Sequence, residues 1–131
     1  DEFGFRLFDV ASGTERALQS PRNAITNYFL TGGRQDLPGR IRPNAYVVVL
    51  VLTDTEDQSL STVASNTSYF QNFDGAGNQY SAASVHAILC QGPGICSSSE
   101  LVSTKIMQVV QNLNGVLASI NDFDANCYLY L

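Results

Sequence analysis

Acidic and hydroxyl side chains gather in residues 53–59, directly after the most apolar run of the chain. This stretch holds three carboxylates, Asp54, Glu56 and Asp57, together with three hydroxyl side chains. A second polar stretch, residues 9–15, follows another short apolar run. Hard cations such as Mg²⁺ and Ca²⁺ prefer oxygen ligands of these types. The two stretches therefore predict either a divalent-cation site or, more simply, helix caps and solvated loop residues.

His86 is the single histidine of the chain. It lies inside an apolar run, residues 84–90, where a hydrogen-bonded histidine on a strand face is the favoured interpretation. A Ser–His–Asp hydrolase would need a serine and an acid beside it in one pocket. No serine occupies the Gly-x-Ser-x-Gly turn that exposes such a nucleophile. A small α/β hydrolase is therefore kept only as an alternative.

Cys90 and Cys96 bracket a short turn-forming stretch that contains two glycines and a proline. Such a loop can bring two Cα atoms within the roughly 7 Å that a disulfide requires. Two free thiols are the other interpretation. A bridge would indicate an oxidising compartment. Cys127 lies in an apolar run and fits a small buried hydrophobic residue.

Composition limits the classes of function. The 131 residues fit one domain over 1–131. A net charge of −5, with Lys105 as the only lysine, speaks against nucleic-acid binding, which needs a basic surface. No run reaches the ~20 apolar residues of a membrane span. We therefore expect no nucleic acid and no membrane span.

Predicted strands and helices alternate along the chain. The run at residues 46–53 is almost continuously apolar and β-branched, which is typical of a strand covered on both faces. The alternation predicts an α/β fold, a three-layer sandwich with a mostly parallel sheet and helices on both faces. The predicted strands are residues 5–10, 46–53, 84–90 and 116–120. The predicted helices are residues 14–30, 61–73 and 101–113, followed by a last helix capped by Asp122.

Local signals predict where these helices begin and end. Pro21 either kinks the first helix or opens a new one with Ser20 as its N-cap. The serines at 97–99 are N-cap candidates for the third helix, and Glu100 suits its dipole. The Asn114-Gly115 pair predicts the C-terminal end of that helix.

The order and spacing of these segments resemble bacterial von Willebrand factor A-like domains. In that family an Arg-Pro-x-Ala entry leads into a buried strand that ends in Ser/Thr-Asp and further acids. Here Arg-Pro-Asn-Ala, residues 42–45, precedes the apolar run, which ends in Thr53-Asp54. The likeness covers about residues 12–125, and it implies a Rossmann-like fold. Further similar segments are residues 12–18, 85–88 and 114–120.

The resemblance also implies a metal site. The family's site uses one loop with Asp-x-Ser-x-Ser, a second loop with a threonine and a third with an aspartate. The threonine corresponds to Thr14 and the aspartate to Asp54, with Ser12, Glu56 and Asp57 as further candidates. The ion would be Mg²⁺, or Mn²⁺ or Ca²⁺. No residues match the Asp-x-Ser-x-Ser element, so the site would need a partner to be complete.

Without that element, the strand at residues 46–53 would have an unpaired apolar edge, which favours aggregation. One interpretation is a partial domain, whose N-terminal complement comes from another segment or another chain. The other is that residues 5–10 replace the missing central strand and give a small self-contained domain.

The expected function follows from the resemblance. We expect a secreted, extracellular or cell-surface domain that binds a ligand or mediates adhesion and does not catalyse a reaction. Its partner would be a protein or a surface glycan, bound at the carboxyl ends of the strands, with a bridging cation. The first alternative is a metal-free structural module of a surface fibre or complex.

Overall fold

The computed structural model describes residues 15–26, 46–72, 83–92 and 101–120. Within these ranges helices and strands alternate, as the sequence predicts. The elements in chain order are α1 (Gln19–Ala24), β1 (Val48–Leu52), α2 (Val63–Gln71), β2 (Ser84–Leu89), α3 (Thr104–Asn112) and β3 (Leu117–Ser119).

The three strands form one parallel sheet in the order β1-β2-β3. Val48 of β1 pairs with Ser84 of β2, and Ala87 of β2 pairs with Leu117 of β3. Parallel neighbours need a crossover, and α2 and α3 provide it. The α/β class is therefore confirmed, and so are three of the predicted strands, each one to three residues shorter than expected.

The described helices cover one face of the sheet. Side chains alternate between the faces of a strand, and on β1 the burial alternates with them. Crossovers are almost always right-handed, so two successive ones in the same direction place α2 and α3 on the same face. The second helical layer of the predicted sandwich is not seen among the described residues and stays a prediction. The covered face buries Val49, Val51, Val85, Ala87 and Leu89, whereas Val48, Leu50 and Leu52 are exposed on the other face.

Helix α1 begins later than predicted, at Gln19, and of the two alternatives for Pro21 the one that makes Ser20 the N-cap is wrong. The N-cap is Leu18, and Ser20 lies inside the helix, where its hydroxyl donates to the carbonyl oxygen of Arg16 at 3.2 Å. Pro21 falls in the first turn of the helix. The amides of that turn have no acceptor within the helix, so a proline there neither kinks nor ends it.

Helix α3 begins later than predicted. Its N-cap is Ser103, so the serines at 97–99, which lie outside the described residues, do not cap it. The Ser103 hydroxyl makes no capping bond and donates instead to the carbonyl oxygen of Thr55 at 2.6 Å. Helix α2 has the expected form of cap, since the Thr62 side chain accepts from the amide of Ser65 at 3.1 Å.

The predicted end of α3 is confirmed. Asn114 has a left-handed backbone (φ 54°), and the Gly115 amide donates to the carbonyl oxygen of Val110 at 2.8 Å. This pattern turns the chain sharply at a helix end. A Cβ on Gly115 would overlap the carbonyl oxygen of Val85, so only glycine lets the turn pack this closely on β2.

Candidate functional site

Residues 53–59, here called the carboxyl-edge turn, lie where the parallel strands end. The Thr53 amide makes the last bond to β2, to the carbonyl oxygen of Ile88 at 3.2 Å. The carbonyl oxygen of Asp54 then accepts from the amide of Leu101 at 2.9 Å. Ligands of open α/β sheets bind beyond this edge. The turn is therefore at the position that the sequence predicted for a site.

Thr53 connects the turn to the chain before α1. Its buried hydroxyl donates to the Glu15 carboxylate at 3.0 Å and accepts from the amide of Thr55 at 3.2 Å. The backbone carbonyl of Glu15 accepts from the amide of Gln58 at 2.8 Å. Glu15 is thus bound to the turn at two points. Glu15, the last residue of the second polar stretch, therefore lies at the carboxyl edge of β1.

Asp57 is buried and holds three parts of the chain together. One oxygen of its carboxylate accepts from the amide of Leu18, the N-cap of α1, at 3.0 Å. The other accepts from the ammonium of Lys105 in α3 at 3.0 Å and from the hydroxyl of Ser59. The Lys105 ammonium also donates to the carbonyl oxygen of Ser59 at 2.7 Å. Both carboxylate oxygens are therefore used within the protein, and Asp57 has a structural role.

Glu56 serves the N-terminus of α3. Its carboxylate accepts from the amide of Lys105 at 3.2 Å and from the amide of Asp57 at 2.9 Å. A negative charge at this position is favourable because the first amides of a helix lack internal partners and carry partial positive charge. Glu100, which the sequence predicts for that role, lies outside the described residues, so its part in it stays a prediction.

Asp54 differs from both neighbouring acids. Its side chain is exposed, and within the described part of the chain no hydrogen bond or ion pair engages its carboxylate. Its backbone is held by the bond from Leu101. The carboxyl-edge turn therefore presents one carboxylate on a fixed backbone.

The other predicted metal ligands, Ser12 and Thr14, lie outside the described residues. No group of three or more histidine, cysteine or acidic side chains is arranged around a common point in residues 15–26, 46–72, 83–92 and 101–120. Of the candidate ligands that are described, only Asp54 has a carboxylate free for an ion. A cation site here would need further oxygen atoms from residues 12 and 14 or from a ligand.

A second polar cluster joins α1 to α2. The Arg22 guanidinium donates to the buried amide oxygen of Asn66 at 2.8 Å and lies 4.8 Å from the centre of the Tyr69 ring. The Tyr69 hydroxyl donates to the carbonyl oxygen of Arg22 at 3.0 Å and lies 2.7 Å from the Thr26 hydroxyl. Burial raises the pKa of Tyr69, while the bond to Thr26 and the charge of Arg22 act in the opposite direction. The cluster fixes α1 against α2.

Lys105 and Asn66 were missed as key residues by sequence analysis. A signal existed for Lys105, because it is the only lysine of the chain and occupies an otherwise uncharged helix. For Asn66 there was none, since an asparagine in a polar helix is ordinarily solvated.

His86 lies half-buried on the exposed face of the sheet. Its Nδ1 accepts from the backbone amide of Val116 at 3.0 Å, which leaves the proton of the neutral ring on Nε2. Within the described residues its partner is thus a backbone amide. The arrangement has the form of a hydrogen-bonded strand histidine, and the hydrolase alternative gains no support from it.

Cys90 is buried at the end of β2, with its sulfur 3.8 Å from the carbonyl oxygen of Gly92. Cys96 lies outside the described residues. The Cys90–Cys96 bridge therefore stays a prediction.

None of the described helices has the length and apolar character needed to cross a bilayer. No protein-family model, no curated protein and no solved structure matches this chain. The resemblance to von Willebrand factor A-like domains accordingly rests on the sequence segments alone.

Proposed function

We propose that this chain is an extracellular binding or adhesion domain whose ligand contacts the carboxyl edge of the sheet at Asp54. The observation that supports it is the contrast between three neighbouring acids. Glu56 and Asp57 hold backbone amides and Lys105, whereas the carboxylate of Asp54 faces solvent. A side chain held ready on a rigid turn suits binding.

The proposed ligand is a protein or a surface glycan, and a divalent cation bridges it to the chain. Asp54 would share the cation with Thr14, and Ser12 is a further candidate. The oxygen atoms of Glu56 and Asp57 are already used in the fold, so they contribute negative charge nearby and do not bind the ion. Asp54, Thr14 and Ser12 would leave positions of an octahedral Mg²⁺ ion open, and a group of the ligand would occupy one of them.

The same proposal includes a three-layer sandwich of the von Willebrand factor A type. A von Willebrand factor A-like sandwich would carry helices on the second face of the sheet as well. The parallel sheet and the position of the carboxyl-edge turn support this arrangement. The sequence resemblance supports it independently.

The proposal is tested by thermal unfolding of the chain with and without millimolar Mg²⁺ or Mn²⁺. A ligand that binds only the folded state stabilises it by about 2.7 kcal/mol at a hundred times its Kd. We expect the midpoint to rise in the wild type and in Gln58→Ala, which changes an exposed residue of the same turn. In Asp54→Asn the rise should disappear.

Equal shifts in all three proteins would place the ion elsewhere and contradict the assignment of Asp54. The absence of any shift in the wild type would contradict the cation bridge.

A metal-free structural module is the second candidate, and a different observation favours it. Tyr46, Val48, Leu50 and Leu52 are 48–65% exposed along one side of β1. Contiguous apolar surface of this kind marks sites where proteins associate. In a fibre or complex, another subunit would cover it.

A further inference from the structure

Asn114-Gly115 is the only asparagine–glycine pair of the chain. Asparagine is among the labile residues of proteins, because the backbone nitrogen of the following residue can attack its side-chain carbonyl carbon. Glycine in the following position leaves that attack unhindered, since it has no Cβ atom. The Asn114 side chain is exposed to solvent. The pair therefore has the groups needed for deamidation.

Deamidation of this pair would proceed in two steps. First, the Gly115 nitrogen loses its proton to hydroxide from the solvent and bonds to Cγ of Asn114, while the side-chain nitrogen takes a proton from water and leaves as ammonia. The product of this step is a five-membered succinimide ring. Second, water opens the ring at one of its two carbonyl groups. One opening gives aspartate, and the other gives isoaspartate, whose backbone runs through Cβ and Cγ.

The fold occupies the amide that would have to attack. The Gly115 amide donates to the carbonyl oxygen of Val110 at 2.8 Å, and the Asn114 amide donates to that of Gln111 at 3.1 Å. Asn114 is fixed at a φ of 54° between these two bonds. Hydrogen-bonded amides lose their protons to solvent only after the structure around them opens. The first step therefore requires the end of α3 to open.

Val116 connects the pair to the sheet on its other side. The Val116 amide donates to Nδ1 of His86 at 3.0 Å, and its carbonyl oxygen accepts from the amide of Ala87 at 3.0 Å. Both partners belong to β2. The Asn114-Gly115 pair is thus held by α3 before it and by β2 after it, so bonds on both sides oppose the opening.

Isoaspartate does not fit the closed structure. It adds one carbon atom to the backbone before Gly115, which lengthens the chain there by about 1.5 Å. Gly115 is packed so closely that a Cβ atom on it would overlap the carbonyl oxygen of Val85 and lie 2.8 Å from a methyl carbon of Val110. Aspartate keeps the normal backbone and, like asparagine, tolerates the left-handed conformation. The two products should therefore differ in stability.

We infer that Asn114 is a deamidation site controlled by the fold. The closed end of α3 suppresses the reaction, its opening permits the reaction, and isoaspartate then prevents the end from closing again. An opening of this region can thus leave a permanent chemical change. The inference does not depend on the ligand proposed for Asp54.

Mass spectrometry of the full chain tests the inference, after incubation in warm, mildly alkaline buffer with and without denaturing guanidinium chloride. Fragmentation locates the mass increase that comes with the loss of ammonia and the gain of water. Modification at Asn114 should be about tenfold or more slower in the folded chain than in the denatured chain. Asn112, which precedes the bulky Leu113, is the internal control and should react far more slowly than Asn114 in the denatured chain. Equal rates at Asn114 in the two conditions, or no reaction in denaturant, would overturn the inference.

A pair of variants on β2 tests the control by the fold. His86→Ala removes the acceptor of the Val116 amide, whereas Ser84→Ala changes a side chain on the same strand face whose hydroxyl has no hydrogen-bond partner. We expect His86→Ala to speed both the hydrogen exchange of the Gly115 amide, measured by NMR, and the modification of Asn114, by the same factor. Ser84→Ala should leave both rates unchanged. Faster exchange at Gly115 without faster modification, or equal rates in the two variants, would contradict this control.

Unfolding of the modified chains tests the last step. Chains with isoaspartate at residue 114, formed in denaturant and then refolded, should unfold at a lower denaturant concentration than the unmodified chain. Asn114→Asp supplies the aspartyl product directly, and its unfolding midpoint should stay close to that of the wild type. An isoaspartyl chain as stable as Asn114→Asp would overturn the inferred effect on closure.

Discussion

At the scale of single residues, the three acids of the carboxyl-edge turn have different roles, although they are similar side chains close together in the sequence. Asp57 is 3% exposed and forms the ion pair with Lys105, Glu56 supports the start of α3, and Asp54 is solvent-exposed. Their stability contributions should differ accordingly. The contribution of each acid to stability depends on its burial and its hydrogen-bond partners, and not on the type of side chain.

Replacing Asp57 by asparagine should destabilise the protein far more than the same change at Asp54. Asp57→Asn removes the charge that pairs with Lys105 and weakens the bond to the Leu18 amide, and losing one partner of a buried pair costs about 3 kcal/mol. Asp54→Asn should stay within about 0.5 kcal/mol, as surface changes do. Urea unfolding at neutral pH measures both. Equal effects would contradict the structural role of Asp57.

At the scale of elements, the end of α3 sets how closely the following chain approaches the sheet. Asn114 has a left-handed backbone, whereas Gly115 lies so close to Val85 that it has no room for a Cβ atom. The first residue is therefore limited by its backbone conformation and the second by the space for a side chain. Asparagine tolerates that backbone better than most residues, and glycine better still.

Gly115→Ala should lower the free energy of unfolding by at least about 2 kcal/mol, because the new methyl group overlaps the Val85 carbonyl and also meets Val110 at 2.8 Å. Asn114→Gly is the matched control and should be neutral or slightly stabilising, since it relieves the strained φ. Both are read from thermal or urea unfolding. If Gly115→Ala were as stable as the wild type, β2 and the end of α3 would have to be farther apart than described.

Some helix boundaries can be predicted from the sequence and others cannot. The start of α2 and the end of α3 follow local signals. Thr62 caps the first turn of α2, and Asn114-Gly115 ends α3, in each case through bonds to nearby backbone groups. The start of α3 depends instead on Glu56 and on Thr55, which accepts from Ser103. Sequence spacing does not predict which residues will contact each other when they lie this far apart in the chain.

At the scale of the whole molecule, the exposed apolar side of β1 is a surface that another molecule could cover. Leu52 is 63% exposed on the sheet, and Leu60 is 99% exposed in the segment before α2. The two leucines differ in one respect, since only Leu52 belongs to a continuous apolar surface.

We expect the wild-type chain to self-associate as its concentration rises, and Leu52→Lys to reduce this association. The lysine interrupts the apolar surface without touching the backbone bonds of β1. Leu60→Lys adds the same charge outside the sheet and should have little effect. Light scattering after size-exclusion chromatography measures both. A monodisperse wild-type monomer at all concentrations, or equal effects of both changes, would argue against an association surface on β1.

Local sequence determined a large part of this fold. The apolar runs at β1 and β2, the helical spacing of α3 and the alternation of elements predict a parallel α/β sheet, because periodicity and turn residues act over a few neighbours. The same reasoning placed a polar turn at the carboxyl edge of β1. The order of elements was enough for this, since parallel strands all end at one edge.

Tertiary structure alone decided the roles within that turn. Whether an acid binds a helix terminus, pairs with Lys105 or faces solvent depends on which distant residues pack beside it. Asp57 meets Leu18 and Lys105 only once α1 and α3 are docked on the sheet. Sequence spacing places three carboxylates in one loop, but the directions of side chains are set by contacts between parts of the chain that are dozens of residues apart.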